Sequence, residues 1–319
     1  MKPSFANSIK LLDSYRKSGE AKAVETVQTG KPLVESGKIK EAKDDGNLMH
    51  IAWTLYEQIT IAALITCDFE LATTCINALT IKFPKSTRVK KLVGMEFEAK
   101  GQHNQALEKY NELLEIDPSN SVILKRKLAT LLSVGEALEA IKSLVKYIDI
   151  FPNDSDAWIK LCELYLNEHM YAQAAFCVEE LIILAPSNNY YYLKYAEIQY
   201  TLGNVDTALS YYLKVTQLSR DNLHGFYGVK LCTGRLLKEL DRIASSETKK
   251  KVATLSSNLT SRSVETLNSL DELATERILH CYSSNHGVVE KLASMSIGTD
   301  PHTPISPASK KVVEEWLKL

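Results

Sequence analysis

The stretch LLEIDPSN, residues 113–120, places a proline and two small polar residues directly after an apolar run that ends like a helix. Similar endings occur at INALTIKFPKS (76–86), LVKYIDIFPND (144–154) and EELIILAPSNN (179–189). Their prolines are evenly spaced along the chain, at Pro84, Pro118, Pro152 and Pro186. An alanine repeats with the same step, at Ala72, Ala106, Ala140, Ala174 and Ala208. Two markers with one period indicate an internal repeat of about 34 residues.

A period of this length is that of the tetratricopeptide repeat, in which each unit is a pair of antiparallel helices. One pair cannot bury its apolar faces alone, so successive pairs stack. The small alanine is expected on the second helix, where close approach to the first helix leaves no room for a larger side chain. The proline ends that helix, and polar residues after it, such as Asn120 and Asp154, predict N-caps for the next helix. The predicted fold is all-α, a tetratricopeptide-repeat α-solenoid built as a right-handed superhelix of antiparallel helix pairs.

The register divides the chain into five repeats with flanking segments. With the proline at position 32, the repeats are 53–86, 87–120, 121–154, 155–188 and 189–222. We predict an N-terminal helical cap at 1–52, a degenerate repeat with capping helices at 223–295, a flexible linker at 296–310 and a terminal amphipathic helix at 311–319. The linker contains Thr303-Pro and Ser306-Pro, either of which could be phosphorylated by a proline-directed kinase. The sequence does not decide whether they are phosphorylated or whether the terminal helix docks on the body.

Composition restricts the possible functions. The chain has 319 residues, 45% of them hydrophobic and 24% charged, with a formal net charge of −1. This charge balance gives no general attraction to nucleic acid or to anionic lipid. No apolar run is long enough to span a membrane, and the N-terminus lacks the apolar core of a signal peptide. We therefore expect the chain in the cytosol or nucleus, with its six dispersed cysteines acting as small apolar fillers of a helical core.

The sequence does not predict an enzyme. It contains no glycine-rich phosphate loop, no GxSxG and no HExxH, and its seven histidines are dispersed. We therefore predict no catalytic residues, no cofactor, no metal site and no small-molecule substrate. Solenoids of this kind usually present an extended concave surface to other proteins.

The first helix of each repeat is expected to line that concave groove, roughly at positions 2, 5, 9 and 12. About half of the side chains at these positions are apolar, and an apolar groove in water is typical of an interaction surface. The candidate partner-binding residues are Arg88, Lys91, Met95, Lys125, Leu132, Ile159, Glu163, Leu166, Tyr190, Leu193 and Tyr200. Two alternatives stay open at this point, a groove closed by tight curvature and a groove filled by the chain's own C-terminal segment.

One class of partner is disfavoured by spacing. Many chaperone-binding tetratricopeptide domains grip a C-terminal carboxylate with Lys, Asn and Arg side chains at fixed positions. Lys91 fits this pattern, but Met95 replaces an Asn and Asp156 replaces a Lys, and an Asp there repels a carboxylate. A soluble adaptor for other chaperone or ubiquitin-pathway partners remains as the alternative function.

Several segments resemble a known family. They are WTLYEQITIAAL (53–64), FPKSTRVKKLVGMEFEAKGQHNQALEKYNELLEIDPSN (83–120), ELYLNEHMYAQAAFCVEELI (163–182) and YAEIQYTLG (195–203). Together they are similar to subunit 2 of the endoplasmic reticulum (ER) membrane protein complex, over roughly residues 50–225.

The resemblance implies a soluble, non-catalytic tetratricopeptide scaffold on the cytosolic side of the ER, held there by other subunits. It implies partners among the cytosolic parts of subunits 3 and 5 and the subunit 8 or 9 type. The complex of this family inserts tail-anchored and multi-pass transmembrane segments without nucleotide hydrolysis.

Overall fold

The computed structural model describes residues 5–18, 22–36, 46–245, 264–293 and 315. These residues form fourteen helices, numbered here in chain order. Their bounds are α1 Phe5–Ser18, α2 Ala23–Glu35, α3 Gly46–Ile65, α4 Phe69–Lys82, α5 Thr87–Ala99, α6 His103–Ile116, α7 Ser121–Val134, α8 Ala137–Ile150, α9 Ser155–Asn167, α10 Tyr171–Leu184, α11 Asn189–Thr201, α12 Val205–Leu218, α13 Leu223–Ser245 and α14 Val264–Ala293. None of these helices is both long and apolar enough to cross a bilayer.

The helix bounds repeat with the period of the sequence. Helices α5, α7, α9 and α11 begin at residues 87, 121, 155 and 189, each one repeat length after the last. The second helices of the pairs begin at residues 69, 103, 137, 171 and 205, with the same step. The two helices of a pair pack against each other, as α3 packs on α4 and α11 on α12. The predicted all-α tetratricopeptide fold is confirmed.

The recurring alanines lie in the buried interior of the repeats. Their side chains are fully buried on the second helices of the five pairs, at Ala72, Ala106, Ala140, Ala174 and Ala208. The predicted N-caps are also present, since the side chains of Asn120, Asp154 and Asn188 accept hydrogen bonds from backbone N–H groups in the first turns of α7, α9 and α11. Each cap satisfies one of the N–H groups that a helix start leaves without an intrahelical acceptor.

The turn inside each pair requires a left-handed backbone. Five residues with this conformation recur once per repeat, namely Cys67 (φ 61°), Gly101 (73°), Gly135 (89°), His169 (58°) and Gly203 (87°). Glycine adopts such angles without steric cost, whereas a residue with a Cβ atom does so with strain. Two of the five turns therefore carry a strained residue at a position where the other three have glycine.

The chain forms two compact units, Met1–Ile150 and Phe151–Leu319. In the first unit, α1 and α2 pack on α3, and Leu12, Leu33 and Ile59 belong to one hydrophobic core with residues of α4 and α5. In the second unit, α11–α14 share a core that includes Leu209 and Cys232.

The division into a cap, a repeat block and a capping segment stays a prediction. The predicted linker at 296–310 and the terminal helix at 311–319 lie outside the described residues, apart from Glu315. The two candidate phosphorylation sites, Thr303 and Ser306, also lie outside them.

Candidate partner-binding site

In the first unit, an acidic side chain of α3 holds the two candidate cations of α5. The Arg88 guanidinium forms an ion pair with the Glu57 carboxylate, and Lys91 Nζ lies 3.8 Å from Glu57 Oε1. The Arg88 side chain remains 67% exposed while that of Glu57 is 18% exposed. The structure therefore brings Arg88 and Lys91 together at the Glu57 carboxylate. Because the Arg88 side chain is exposed, water screens its ion pair with Glu57, and a competing anion can reach it.

One candidate residue of this unit differs from the expectation. Met95 is 7% exposed and belongs to the core around α3 and α4, because its side chain packs inward from α5. It is therefore corrected from a groove residue to a core residue. Leu132 is half-buried on α7, whereas Lys125 is exposed with its Nζ 5.6 Å from the ring centroid of Tyr147. These two α7 residues are accessible to a partner.

A second carboxylate connects three consecutive helices. Glu98 on α5 accepts a hydrogen bond from the Tyr110 hydroxyl of α6 at 2.8 Å and one from Arg126 of α7 at 3.3 Å. Burial, and then the hydrogen bond to Glu98, raise the pKa of Tyr110 above its ordinary range. Glu98 therefore stabilises the packing of neighbouring pairs, although it stands at a predicted groove position.

Two adjacent cavities flank the ion pair between Glu57 and Arg88. The first, of about 360 Å³, lies among α1, α2 and α3 and is lined by residues that include Tyr15, Thr26 and Ile61. The second, of about 250 Å³, lies between α3, α4 and α5, with Leu79, Phe83, Val89 and Leu92 in its wall. Both are lined by Thr54, Glu57 and Arg88, so these residues separate one cavity from the other.

Each cavity has in its wall a buried polar atom that lacks a partner among the described residues. Trp53 lines the second cavity, stacks on Tyr56 and contacts the edge of Phe83, but its Nε1–H has no acceptor there. Gln58 lines the first cavity and donates from Nε2 to the Leu12 carbonyl at 3.0 Å, which leaves Oε1 without a donor. Buried polar groups are normally hydrogen-bonded, so these two atoms are unusual.

In the second unit, the α9 candidates form a mixed surface. Ile159 and Leu166 are half-buried, and Glu163 is exposed. The Glu163 carboxylate accepts from Lys160 Nζ at 3.0 Å, one turn earlier on the same helix. This surface pair contributes little to stability. The apolar side chains of Ile159 and Leu166 are therefore the part of α9 on which a partner can bury area.

The α11 candidates differ among themselves in exposure. Tyr190 is 54% exposed, with its ring 6.2 Å from that of Tyr191. Leu193 and Tyr200 are partly buried and pack against the core of α11–α14. The Arg235 guanidinium of α13 lies 5.4 Å from the Tyr200 ring centroid, a cation–π contact within this unit. Tyr190 is thus the more accessible of the two tyrosines.

The described residues contain no group of three or more His, Cys, Asp or Glu side chains that could hold a metal ion. Cys75, Cys162, Cys177 and Cys232 are buried, as expected for apolar fillers, while Cys67 is exposed. Burial raises the pKa of the Cys75 and Cys177 thiols to about 12 and that of Cys162 to about 11, so these three thiols stay protonated and unreactive at neutral pH.

Thr54 and Glu57 stand at positions 2 and 5 of the first repeat, where the groove is expected, but the sequence pattern gives no role to Trp53 or Gln58. The missed residues stand at positions 1 and 6 of the first repeat, outside the expected set of groove positions. The available signal was a large aromatic and an amide five residues apart in a mostly apolar helix.

Known proteins are similar to this chain in sequence. Residues 64–215 match the family described as the EMC2 TPR-like repeat domain. The chain is 35% identical over 221 residues to ER membrane protein complex subunit 2 of Xenopus tropicalis, an alignment that covers 68% of this chain and 72% of that relative. It is 37% identical over 220 residues to ER membrane protein complex subunit 2-B of Xenopus laevis, with 68% and 70% covered.

A solved structure supports the fold alone. The C-terminal part of a TPR repeat-containing protein from Cytophaga hutchinsonii superposes with a TM-score of 0.55 at 15% identity, covering 88% of this chain and 98% of that one. Identity this low says nothing about function. The alignments to the two Xenopus proteins, in contrast, span about two thirds of both sequences at more than a third identity. The chain belongs to the ER membrane protein complex subunit 2 family.

Proposed function

We propose that this chain is a non-catalytic scaffold subunit of an ER membrane protein complex, held peripherally on the cytosolic face of the ER membrane. The observation that carries the proposal is the similarity to subunit 2 of two Xenopus species across the repeat region. The complex organised in this way inserts tail-anchored and multi-pass transmembrane segments without nucleotide hydrolysis. Its partners are the cytosolic parts of subunits 3 and 5 and the subunit 8 or 9 type.

The first-helix faces of the repeats supply a physical reason for partner binding. At the predicted groove positions, Leu132, Ile159 and Leu166 are half-buried apolar side chains. Arg88 and Tyr190, also at groove positions, are exposed. Burying apolar area of this kind stabilises a complex by roughly 25 cal/mol per Å² before association costs. Exposed cations at the rim fix orientation and partner choice more than they add affinity.

The test is purification of the tagged chain from detergent-solubilised membranes. We expect integral membrane proteins of the complex to co-purify, and depletion of the chain to lower insertion of a tail-anchored reporter. Recovery of the chain free of membranes, without any integral membrane protein, would refute this role and favour the soluble adaptor for chaperone or ubiquitin-pathway partners.

Two substitutions test the groove itself. Leu132→Asp on α7 and Leu166→Asp on α9 each place a charge on the proposed binding face of their own unit and should release the partners while leaving helicity unchanged. The matched controls are Ile116→Asp and Ile183→Asp, at exposed apolar residues of the second helices α6 and α10. If all four variants retain their partners equally, the groove assignment is wrong even when the scaffold role holds.

A further inference from the structure

The two cavities beside α3 have the features of a peptide-binding site. They lie next to each other in the first unit, share Thr54, Glu57 and Arg88, and have volumes of about 360 and 250 Å³. Cavities of this size accommodate single apolar side chains together with their backbone, and adjacent cavities suit an extended segment whose side chains enter each in turn. Arg88 and Glu57 form the ridge that such a segment crosses.

The unpartnered polar atoms restrict the chemistry of the ligand. Trp53 Nε1–H needs an acceptor, and Gln58 Oε1 needs a donor, among atoms beyond the described residues. The Gln58 amide orientation is fixed because Nε2 donates to the Leu12 carbonyl. A polypeptide backbone supplies both an acceptor and a donor at every residue, whereas a fatty acid or another lipid carboxylate supplies no N–H group.

The charged residues of the lining indicate an acidic ligand. Arg16, Lys22 and Arg88 line the cavities, against a single lining carboxylate, that of Glu57. Arg16 is paired with Asp13 of its own helix, and Lys22 lies 5.1 Å from the Tyr15 ring. Since Lys91 also approaches Glu57, that carboxylate is shared by two cations. An incoming carboxylate can therefore pair with Arg88 without leaving Glu57 unpaired.

We propose that Trp53, Gln58 and Arg88 bind an extended acidic peptide segment of a partner subunit, with an apolar side chain in each cavity and a carboxylate against Arg88. The proposal rests on the scaffold role described above and assigns one partner segment to the first unit. Trp53 Nε1–H donates to a backbone carbonyl of that segment, and Gln58 Oε1 accepts from one of its backbone N–H groups.

A photocrosslinking experiment identifies the occupant. Benzoylphenylalanine is introduced in the full chain at Ile65, which lines the first cavity and is 64% exposed, and irradiation is followed by mass spectrometry of the purified complex. The matched control carries the same probe at Ile116, an exposed apolar position of the second helix α6 in the same unit that lines neither cavity. We expect position 65, and not position 116, to crosslink to one segment of a co-purifying subunit that carries Asp or Glu between apolar residues.

Variants then test the chemistry with a synthetic peptide of the crosslinked segment, using the tryptophan fluorescence of the chain or calorimetry. Thr54→Arg fills the wall shared by both cavities and should weaken binding at least tenfold, whereas Ile116→Arg should not. Trp53→Phe keeps an aromatic ring and removes the N–H donor, so by calorimetry it should weaken binding roughly 2- to 10-fold. Arg88→Gln should reduce the dependence of the affinity on salt.

The possible failures are distinguishable. If no integral membrane protein co-purifies, the scaffold role fails. If membrane subunits co-purify but position 65 crosslinks to none of them, or crosslinks to lipid, the peptide site is refuted while the scaffold role stands. Equal binding of the peptide by wild type, Thr54→Arg and Ile116→Arg, with unchanged circular dichroism, would equally overturn the assignment.

Discussion

Three glycine-to-alanine substitutions in this chain should have three different effects on stability, although the chemical change is the same. Gly94 of α5 faces the ring of Tyr110, and a Cβ atom there would lie 2.5 Å from Cε1 of that ring. Gly234 lies inside α13 with nothing within 4 Å of such a Cβ atom, and Gly135 occupies a left-handed turn at φ 89° that is equally open. The three positions therefore separate a steric clash, helix propensity and backbone strain.

The magnitudes follow from these environments. Gly234→Ala should stabilise the chain by about 0.5–1 kcal/mol, because alanine loses less backbone entropy in a helix interior. Gly135→Ala should destabilise it by about 1–2 kcal/mol, the cost of a Cβ atom in the left-handed region. Gly94→Ala gains about 1 kcal/mol of helix propensity but overpacks the interface between α5 and α6, which costs about 1–3 kcal/mol.

Tyr110 cannot move aside to relieve the clash at Gly94. Its side chain is fully buried, and its hydroxyl donates to Glu98 at 2.8 Å. Weakening that bond to a carboxylate adds on the order of 1 kcal/mol, so the net destabilisation by Gly94→Ala should be about 1–3 kcal/mol. In a Tyr110→Leu background the clash is removed, and Gly94→Ala should then become neutral or stabilising, which a double-mutant cycle measures.

The assay is urea unfolding followed by circular dichroism, with hydrogen exchange to locate the change, because a chain with two compact units need not unfold in one step. Gly94→Ala should increase exchange in α5 and α6 and leave α13 unchanged. If the Gly94→Ala variant is as stable as the Gly234→Ala variant, Gly94 and Tyr110 do not pack as closely as this reasoning requires.

Three further predictions concern a turn, the thiols and α14. His169→Gly should stabilise the second unit by up to about 1 kcal/mol, because the relief of left-handed backbone strain exceeds the loss of the exposed contact between His169 Nδ1 and the Tyr171 hydroxyl. A lower melting temperature in thermal unfolding would contradict this prediction. Iodoacetamide at pH 8 should modify Cys67 in the native chain, but Cys75, Cys162 and Cys177 only after denaturation. Because burial raises the pKa of these three thiols above the ordinary value of 9.0, the unfolded chain releases protons above that pH which the fold retains, so stability should fall, and not rise, as the pH increases from 9.0 towards about 12. Asp271→Asn should increase hydrogen exchange in residues 264–282 and not in α9, because the Asp271 carboxylate of α14 accepts hydrogen bonds from Lys230 Nζ at 2.6 Å and from Thr233 Oγ1 at 2.9 Å, both on α13. Unchanged exchange would show that apolar packing alone holds α14 on α13.

The sequence allowed the repeat to be predicted because the period restricts both composition and backbone. A proline at position 32 and an alanine at position 20 recur often enough to set the register, and the helix bounds follow that register. The left-handed turn residue was equally periodic, with Gly101 and Gly135 one repeat apart and Gly203 two repeats further on. It was missed because Cys67 and His169 occupy the same position in two repeats and interrupt the glycine pattern.

Exposure of individual groove residues was harder to predict than the fold. Met95 and Leu132 were both assigned to the groove as apolar first-helix residues, yet one is buried and the other half-buried. The difference arises from neighbours that repeat positions do not specify, since α5 packs on α3 and α4 in a core that also receives side chains from α1 and α2. A repeat pattern gives the direction of a side chain, and the local packing decides how much of it water reaches.

The proposed peptide site lies where the first repeat departs from the others. Position 1 is Trp53 in this repeat and Thr87, Ser121, Ser155 or Asn189 in the next four. Position 6 is Gln58 here, followed by Leu92, Arg126, Lys160 and Lys194. Side chains that all repeats share stabilise the stack and cannot distinguish one partner segment from another. Specific recognition therefore requires side chains that break the period, and the two buried polar atoms without described partners belong to such side chains.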